Sequence, residues 1–311
     1  MRMHRSFSLL LGLPLLVAAS GDARAVQYAF GTYGLGSNAF DAGVTPPPGT
    51  YVTTAYSYYE ATIGTAVDFE GVRLNAGARA EFFSSALNLL YVPERKVFGG
   101  NLGLSVTIPG NHVDYLAGIG VGALAPSQEV AGWGLGDIVP RVVLGWQVGE
   151  FAHLVYLQTV TPTGFWERGF SPITGFHRPG IDTGWAFTWT NKQTKLQVNG
   201  AAGFTFNFVN TADDYNSGNE FHFEWAVGLE CAPGLVLGVN GYVYRQVTGD
   251  SGSGAKLGPF EGSVDAVGPG LSYTTLIGQT PFIFNLRHYS EFNATNHWEG
   301  NSTILSGTVR F

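Results

Sequence analysis

The sequence predicts an all-β protein: a transmembrane antiparallel up-and-down β-barrel of about 12 strands, with 14 as the alternative, after a cleaved signal peptide. Three observations predict this fold: an export sequence, a low content of charged residues, and repeated two-residue alternation of apolar and polar side chains. Charged residues make up 13% of the chain, whereas an ordinary soluble domain carries about 25%. A barrel surrounded by lipid has few charges because its outer face is apolar.

The N-terminus has the three parts of a secretory signal peptide. A basic start, Met-Arg-Met-His-Arg5, precedes a largely apolar segment, Ser6 to Ala19, and Ala23-Arg-Ala25 matches a cleavage site. We expect cleavage after Ala25. The apolar segment is too short for a spanning helix, and no later stretch offers about 18 uncharged apolar residues. A membrane protein of this kind has to cross the bilayer with strands.

Residues 26–49 are Gly-rich and irregular, and Pro46-Pro-Pro-Gly49 separates them from the first apolar and aromatic run. We interpret 26–49 as a periplasmic lead-in segment that folds towards the barrel mouth, and 50–311 as the barrel. Within the barrel, the clearest alternation runs through Lys195–Phe208 and Glu220–Glu230. Its apolar face is expected against lipid and its polar face in the lumen, because the chain is exported and ends in an aromatic residue.

Thirteen segments are candidate strands, and a barrel with both termini in the periplasm needs an even number. We therefore expect one candidate to be wrong, split or a hairpin outside the barrel, and we place this error within Thr50–Tyr91. From Pro109 onward short turns alternate with long loops, which is typical of outer-membrane barrels. The candidates are Thr50–Thr62, Arg73–Tyr91, Phe98–Ile108, Val113–Leu124, Asp137–Gln147, Phe151–Val160, Ile181–Thr190, Lys195–Phe208, Glu220–Glu230, Leu235–Gln246, Val264–Thr274, Phe282–Phe292 and Ser302–Phe311.

The polar faces of these strands carry the candidate functional residues. Either they line a pore and tune permeation, or they pair with one another and fill a narrow barrel. Tyr242 and Tyr244 share a face with Asn240 and Gln246, so they either stack on a hydrophobic solute or fill the core. The substrate or lumen-lining candidates are Arg141, Asp182, His222, Glu224, Tyr242, Tyr244, Arg287 and Glu291.

Several other functions are not supported by the sequence. The net charge of −7 argues against a nucleic-acid partner. The single cysteine, Cys231, excludes an intramolecular disulfide. His222 between Glu220 and Glu224 is a weak metal pattern, and no nucleophile with a matching base is evident, so we expect no metal, no cofactor and no enzymatic activity. The last strand ends in Thr308-Val-Arg-Phe311, and we expect Phe311 to face outward and bind the barrel-assembly machinery.

Six blocks in order resemble the outer-membrane barrel family named for the meta-pathway of phenol degradation, over about residues 47–311. They are Gly136-Asp-Ile-Val-Pro-Arg-Val-Val-Leu-Gly-Trp146, Pro162-Thr-Gly-Phe-Trp166, Tyr215-Asn-Ser-Gly-Asn-Glu-Phe-His222, Gly241-Tyr-Val-Tyr-Arg-Gln-Val-Thr-Gly-Asp-Ser-Gly252, Val267-Gly-Pro-Gly-Leu-Ser-Tyr273 and Tyr289-Ser-Glu-Phe292.

The resemblance implies a bacterial outer-membrane channel, in contact with outer-membrane lipid, for passive uptake of small hydrophobic or aromatic compounds. Two alternatives stay open at this point. One is a structural or adhesive barrel that acts through its surface loops, and the other is an outer-membrane enzyme that modifies lipid.

Overall fold

The computed structural model describes residues 30–69, 72–121, 127–167, 173–256 and 258–311, so the predicted signal peptide lies outside the described residues. No helix among these residues is long and apolar enough to cross a bilayer. The strands are β1 Gly49–Phe69, β2 Val72–Val92, β3 Asn101–Val121, β4 Ser127–Leu135, β5 Val139–Val148, β6 Phe151–Val160, β7 Gly180–Thr190, β8 Leu196–Asn207, β9 Glu220–Ala232, β10 Leu235–Gln246, β11 Ser263–Ile277, β12 Thr280–Thr295 and β13 Glu299–Arg310.

The strands form a closed antiparallel barrel, which confirms the predicted fold class. Each barrel strand pairs with its neighbours along the chain, and β1 pairs with both β2 and β13. Twelve of the strands described above form the ring, because β4 pairs with β3 and stands outside it. Both ends of the barrel sequence meet at one rim, where the Phe311 amide donates to the Thr50 carbonyl at 2.8 Å. We call this rim the short-turn end and the opposite rim the long-loop end.

The strand count was predicted correctly, but the source of the extra candidate was misplaced. The predicted turn Pro109–His112 is wrong: the two candidates around it form the single strand β3. Along one edge of β3, residues 101–107 pair with β5, whereas residues 110–118 pair with β4. Pro109 falls where the partner strand is interrupted, and its carbonyl accepts from the Gly136 amide at 2.9 Å. A proline inside a strand is tolerated where the ladder is broken in this way.

Strands β1, β2 and β3 are much longer than the others. Each has 21 residues, compared with 10 in β5 and β6. At about 3.3 Å per residue, 21 residues extend about 70 Å, whereas the apolar band of such barrels is about 25 Å tall. These strands and β4 therefore project beyond the membrane at the long-loop end.

The outer face is apolar along the predicted parity. Exposed aliphatic and aromatic side chains on successive strands belong to residues whose neighbours point inward, as expected for a wall in contact with lipid. They include Val142, Leu157, Trp185, Phe206, Val227, Leu229, Leu237, Val239, Phe284, Leu286 and Leu305. Phe311, 76% exposed, lies just past the end of β13.

Candidate functional site in the lumen

Residues 30–48 run through the barrel lumen from the long-loop end to the short-turn end. Near the first end, the Thr32 amide donates to both carboxylate oxygens of Glu220 at 3.1 and 3.0 Å. Near the other end, the Gly43 amide donates to the Thr188 hydroxyl at 3.0 Å. Glu220 begins β9 and Thr188 lies near the end of β7, so the two contacts mark opposite ends of the lumen. We call residues 30–48 the lumen segment.

Glu224 is the main anchor at the middle of the lumen segment. Its Oε2 accepts from the Tyr33 hydroxyl at 2.8 Å, from the Asn38 side-chain amide at 2.7 Å and from the Asn38 backbone amide at 3.1 Å. The phenol of Tyr33 is thus one of three donors to this single carboxylate oxygen.

His222 links this anchor to β7. Its ring stacks on the Tyr33 ring with centroids 3.5 Å apart, and its Nε2 lies 2.8 Å from Asp182 Oδ2. The Thr205 hydroxyl donates to the same Asp182 oxygen at 2.6 Å. Gly203, opposite His222 in the β8–β9 ladder, leaves room for the imidazole, because a Cβ there would collide with the ring. Predicted residues from β7 and β9 thus meet around one aromatic side chain of the lumen segment.

Arg178 holds the end of the lumen segment that lies near the long loops. It is fully buried, and its guanidinium donates to the Thr32 hydroxyl at 2.8 Å, to the Ser217 hydroxyl at 3.0 Å and to the Phe30 carbonyl at 2.8 Å. Arg178 lies in the connection between β6 and β7. Sequence reasoning missed it, although the aromatic and arginine content of Pro162–Gly180 was a usable sign.

Tyr242 and Glu291 form a second pair of predicted residues. The Tyr242 hydroxyl donates to Glu291 Oε1 at 2.6 Å, and the Tyr59 hydroxyl donates to Oε2 at 2.7 Å. Tyr244, the next inward residue along β10, is fully buried and packs its ring against His297 at 5.1 Å. Carboxylate and phenol side chains therefore join β1, β10 and β12 across the inside of the barrel.

The two predicted arginines also point inward, but each contacts a different partner. Arg287 donates to the Ser37 carbonyl of the lumen segment at 2.8 Å. Arg141 lies over the Tyr156 ring at 4.4 Å, a favourable position for a guanidinium. All eight predicted residues thus face the interior, and their part in solute passage stays a prediction.

An aromatic cluster occupies the lumen at the long-loop end. Phe30, the first described residue of the lumen segment, contacts the Phe82 ring at 4.7 Å and the Trp298 ring at 5.8 Å between centroids. Trp298 is fully buried against Ala61 and Ala80, two small residues of β1 and β2. The other rings within reach of Phe30 are those of Tyr59, Phe176 and His297. Sequence reasoning missed this cluster, because its members come from irregular segments as well as strands.

The fold is similar to that of a solved outer-membrane channel. The "COG4313 outer membrane channel from Pseudomonas putida F1" aligns with a TM-score of 0.68 and 15% identity, covering 88% of this chain and 98% of that chain. The "CymD monoaromatic hydrocarbon channel" aligns with a TM-score of 0.43 and 9% identity over 86% of this chain and 89% of that chain. No curated protein sequence matches the chain.

A family model described as "Putative MetA-pathway of phenol degradation" matches residues 47–306, from just before β1 into β13. The match covers most of the chain and reaches every barrel strand, ending within β13, and it agrees with the resemblance carried by the six sequence blocks. The chain belongs to this family.

Proposed function

We propose that this chain is an outer-membrane channel for the passive uptake of small hydrophobic compounds, chiefly single-ring aromatic ones. The observation that carries the proposal is the aromatic lining of the lumen at the long-loop end, where Tyr59, Phe82, Tyr115 and Trp298 lie together. Aromatic rings offer a neutral arene favourable edge-to-face and stacked contacts. Membership of a family described by phenol degradation supports the same class of solute.

Passage requires the lumen segment to move. The segment joins the barrel wall covalently at Gly49, and the contacts described above along its length are hydrogen bonds and ring contacts. It can therefore shift without breaking the ladder of the barrel. The lumen residues Asp182, His222, Glu224 and Arg287 hold the resting position in this mechanism, and no energy source is needed.

The proposal involves transport and no catalytic step. Asp182 and His222 form an acid–base pair of the kind found in hydrolases. The hydroxyl beside this pair belongs to Thr205 and donates to the Asp182 carboxylate, and the imidazole face is covered by Tyr33. This arrangement suits a structural clamp better than activation of a nucleophile.

Uptake into asymmetric vesicles tests the proposal. Vesicles with lipopolysaccharide in the outer leaflet slow the entry of hydrophobic solutes, so a channel should raise the entry rate of labelled toluene and phenol over protein-free vesicles. Sucrose that carries the same kind of label serves as the hydrophilic control and should enter the vesicles much more slowly. Equal toluene entry with and without the folded protein would reject the proposed function.

One observation favours a second candidate function, a structural or adhesive barrel. The projecting parts of β1, β2 and β3 extend well beyond the membrane, and the barrel ring does not need these parts for its closure. Shortening the β1–β2 hairpin beyond Ile63 and Ala78 tests this candidate. Loss of cell-surface binding with normal toluene uptake would support it as an additional role.

We also propose that Phe311 and the segment 1–25 direct export and assembly. Phe311 is exposed at the end of the last strand, where assembly machinery can reach it. Phe311→Ala should reduce the yield of heat-modifiable barrel in cells, and sequencing of the mature N-terminus should begin at Val26. Normal assembly of the Phe311→Ala chain would remove this partner from the proposal.

A further inference from the structure

The surroundings of Phe30 are those of a bound arene. Two rings meet it edge-on: Phe82 at 4.7 Å and 77° and Tyr59 at 6.2 Å and 71°. Two rings lie nearly parallel to it: Trp298 at 5.8 Å and 22° and Phe176 at 6.2 Å and 26°. Offset-parallel and edge-to-face contacts at these separations are the favoured arrangements of aromatic pairs. We call Tyr59, Phe82, Phe176 and Trp298 the aromatic cage.

The cage is held by contacts other than those with Phe30. The Tyr59 hydroxyl is fixed by Glu291, and Phe82 packs edge-on against Tyr115 at 5.4 Å. The Phe176 amide donates to Asp137 Oδ2 at 2.8 Å, which anchors its loop to the barrel. Trp298 packs on small side chains of the barrel wall. The cage should therefore persist when the Phe30 ring leaves it.

Phe30 itself belongs to the lumen segment and not to the wall. The Arg178 guanidinium donates to its carbonyl at 2.8 Å, and Thr32, two residues on, is held by Glu220 and Asn207. Phe30 is only partly buried, although Trp298 beside it is fully buried. The ring in the cage is thus carried by the one part of the lumen that passage requires to move.

We propose that the aromatic cage is a binding site for a single neutral aromatic ring, and that Phe30 occupies it as an intramolecular stand-in for the solute. The side chain of phenylalanine has the carbon skeleton of toluene, so the cage is matched to a one-ring arene with a small substituent. A solute that enters the cage displaces Phe30 and thereby loosens the end of the lumen segment. This inference rests on the proposed function and names its solute site.

The test is to measure, by calorimetry, the affinity of toluene for the purified, folded barrel in detergent. In the wild-type protein toluene competes with Phe30, so the observed affinity is lowered by the fraction of molecules with an empty cage. Phe30→Ala removes the competitor and should tighten toluene binding about tenfold or more. Phe98→Ala, which truncates a phenylalanine that is 89% exposed, is the matched control and should leave binding unchanged.

Two further measurements separate the cage from a general gain of apolar space. Phe30→Ala/Trp298→Ala should lose the tightened binding, and methylcyclohexane should bind Phe30→Ala more weakly than toluene does. Unchanged toluene affinity in a Phe30→Ala barrel with normal heat-modifiable mobility would overturn the inference. Tight binding by Phe30→Ala, combined with no toluene uptake by the wild-type channel, would retain the cage and reject the proposed function.

Discussion

Replacing Tyr33 by phenylalanine tests the hydrogen bonding that holds the lumen segment in the barrel. The substitution removes one hydroxyl and keeps the ring that stacks on His222. This hydroxyl donates to Glu224 Oε2 at 2.8 Å in a buried environment, and it also contacts Ser37 Oγ and accepts from the Asn38 side-chain amide. The bond to the carboxylate is the strongest of these contacts and sets the expected magnitude. Hydrogen bonds to charged groups contribute about 1.5–3 kcal/mol, and each 1.4 kcal/mol is about tenfold in an equilibrium constant. We expect Tyr33→Phe to favour detachment of the segment by roughly ten- to hundredfold.

Hydrogen exchange measures this detachment directly. The amides of Thr32, Asn38 and Gly43 donate to barrel side chains, so each exchanges only when the segment leaves its partners. Under conditions where exchange reports the opening equilibrium, Tyr33→Phe should accelerate exchange at Asn38 by the same ten- to hundredfold. Tyr58→Phe is the matched control, because the Tyr58 hydroxyl meets Glu81 at 3.2 Å on an exposed surface.

Two results would refute this reasoning. Unchanged exchange at Asn38 would show that the hydroxyl contributes little to holding the segment. Equal acceleration in the lumen segment and in strands β8 and β9 would show that the substitution weakens the whole barrel. A double-mutant cycle of Tyr33→Phe with Glu224→Gln should give a coupling free energy, since the two groups share one hydrogen bond; independent effects would contradict the pairing.

Three other predictions follow from residues around the long-loop end. Burial lowers the pKa of His297 to about 4, so the folded loop disfavours protonation of this residue. The stability of the loop should therefore be constant above about pH 6.5 and fall as the pH is lowered towards 4. Hydrogen exchange of residues 296–298 measures this dependence, and His297→Gln should remove it. Arg178→Lys should speed exchange of Thr32, since the single nitrogen of an ammonium group cannot reach the three acceptors that the separate nitrogens of the guanidinium contact. Exchange at the wild-type rate would contradict this role. Trp298→Ala should destabilise the folded barrel by about 3–5 kcal/mol, seen as a lower temperature for heat-modified mobility, and Trp298→Phe should restore part of the loss.

The barrel was predictable because alternation depends on one strand at a time. Each strand must place apolar side chains against lipid, so parity assigns faces without knowledge of its neighbours. Strand ends were less predictable where a residue type is compatible with both a turn and a strand. Pro109 and Gly110 are typical of a turn, but they lie inside β3 at the change of partner from β5 to β4. That change depends on where β4 lies, and the small and polar residues of β4 show no clear alternation that would distinguish it from a loop.

The lumen site was predictable only as a set of inward residues and not as a set of partners. Parity places Asp182 and His222 on inward faces, but their contact depends on the registers of β7 with β8 and of β8 with β9, which pair Asp182 with Thr205 and Gly203 with His222. The residue that covers them, Tyr33, lies in an irregular segment where no period exists to assign a face. Its position is fixed instead by the carboxylates already in the lumen, which accept amides and hydroxyls from any chain that enters. Glu220 and Glu224 accept such donors from the Gly-rich segment before the first strand, whereas Asp182 and Glu291 accept donors from the sheet itself, so parity alone could not name the partners.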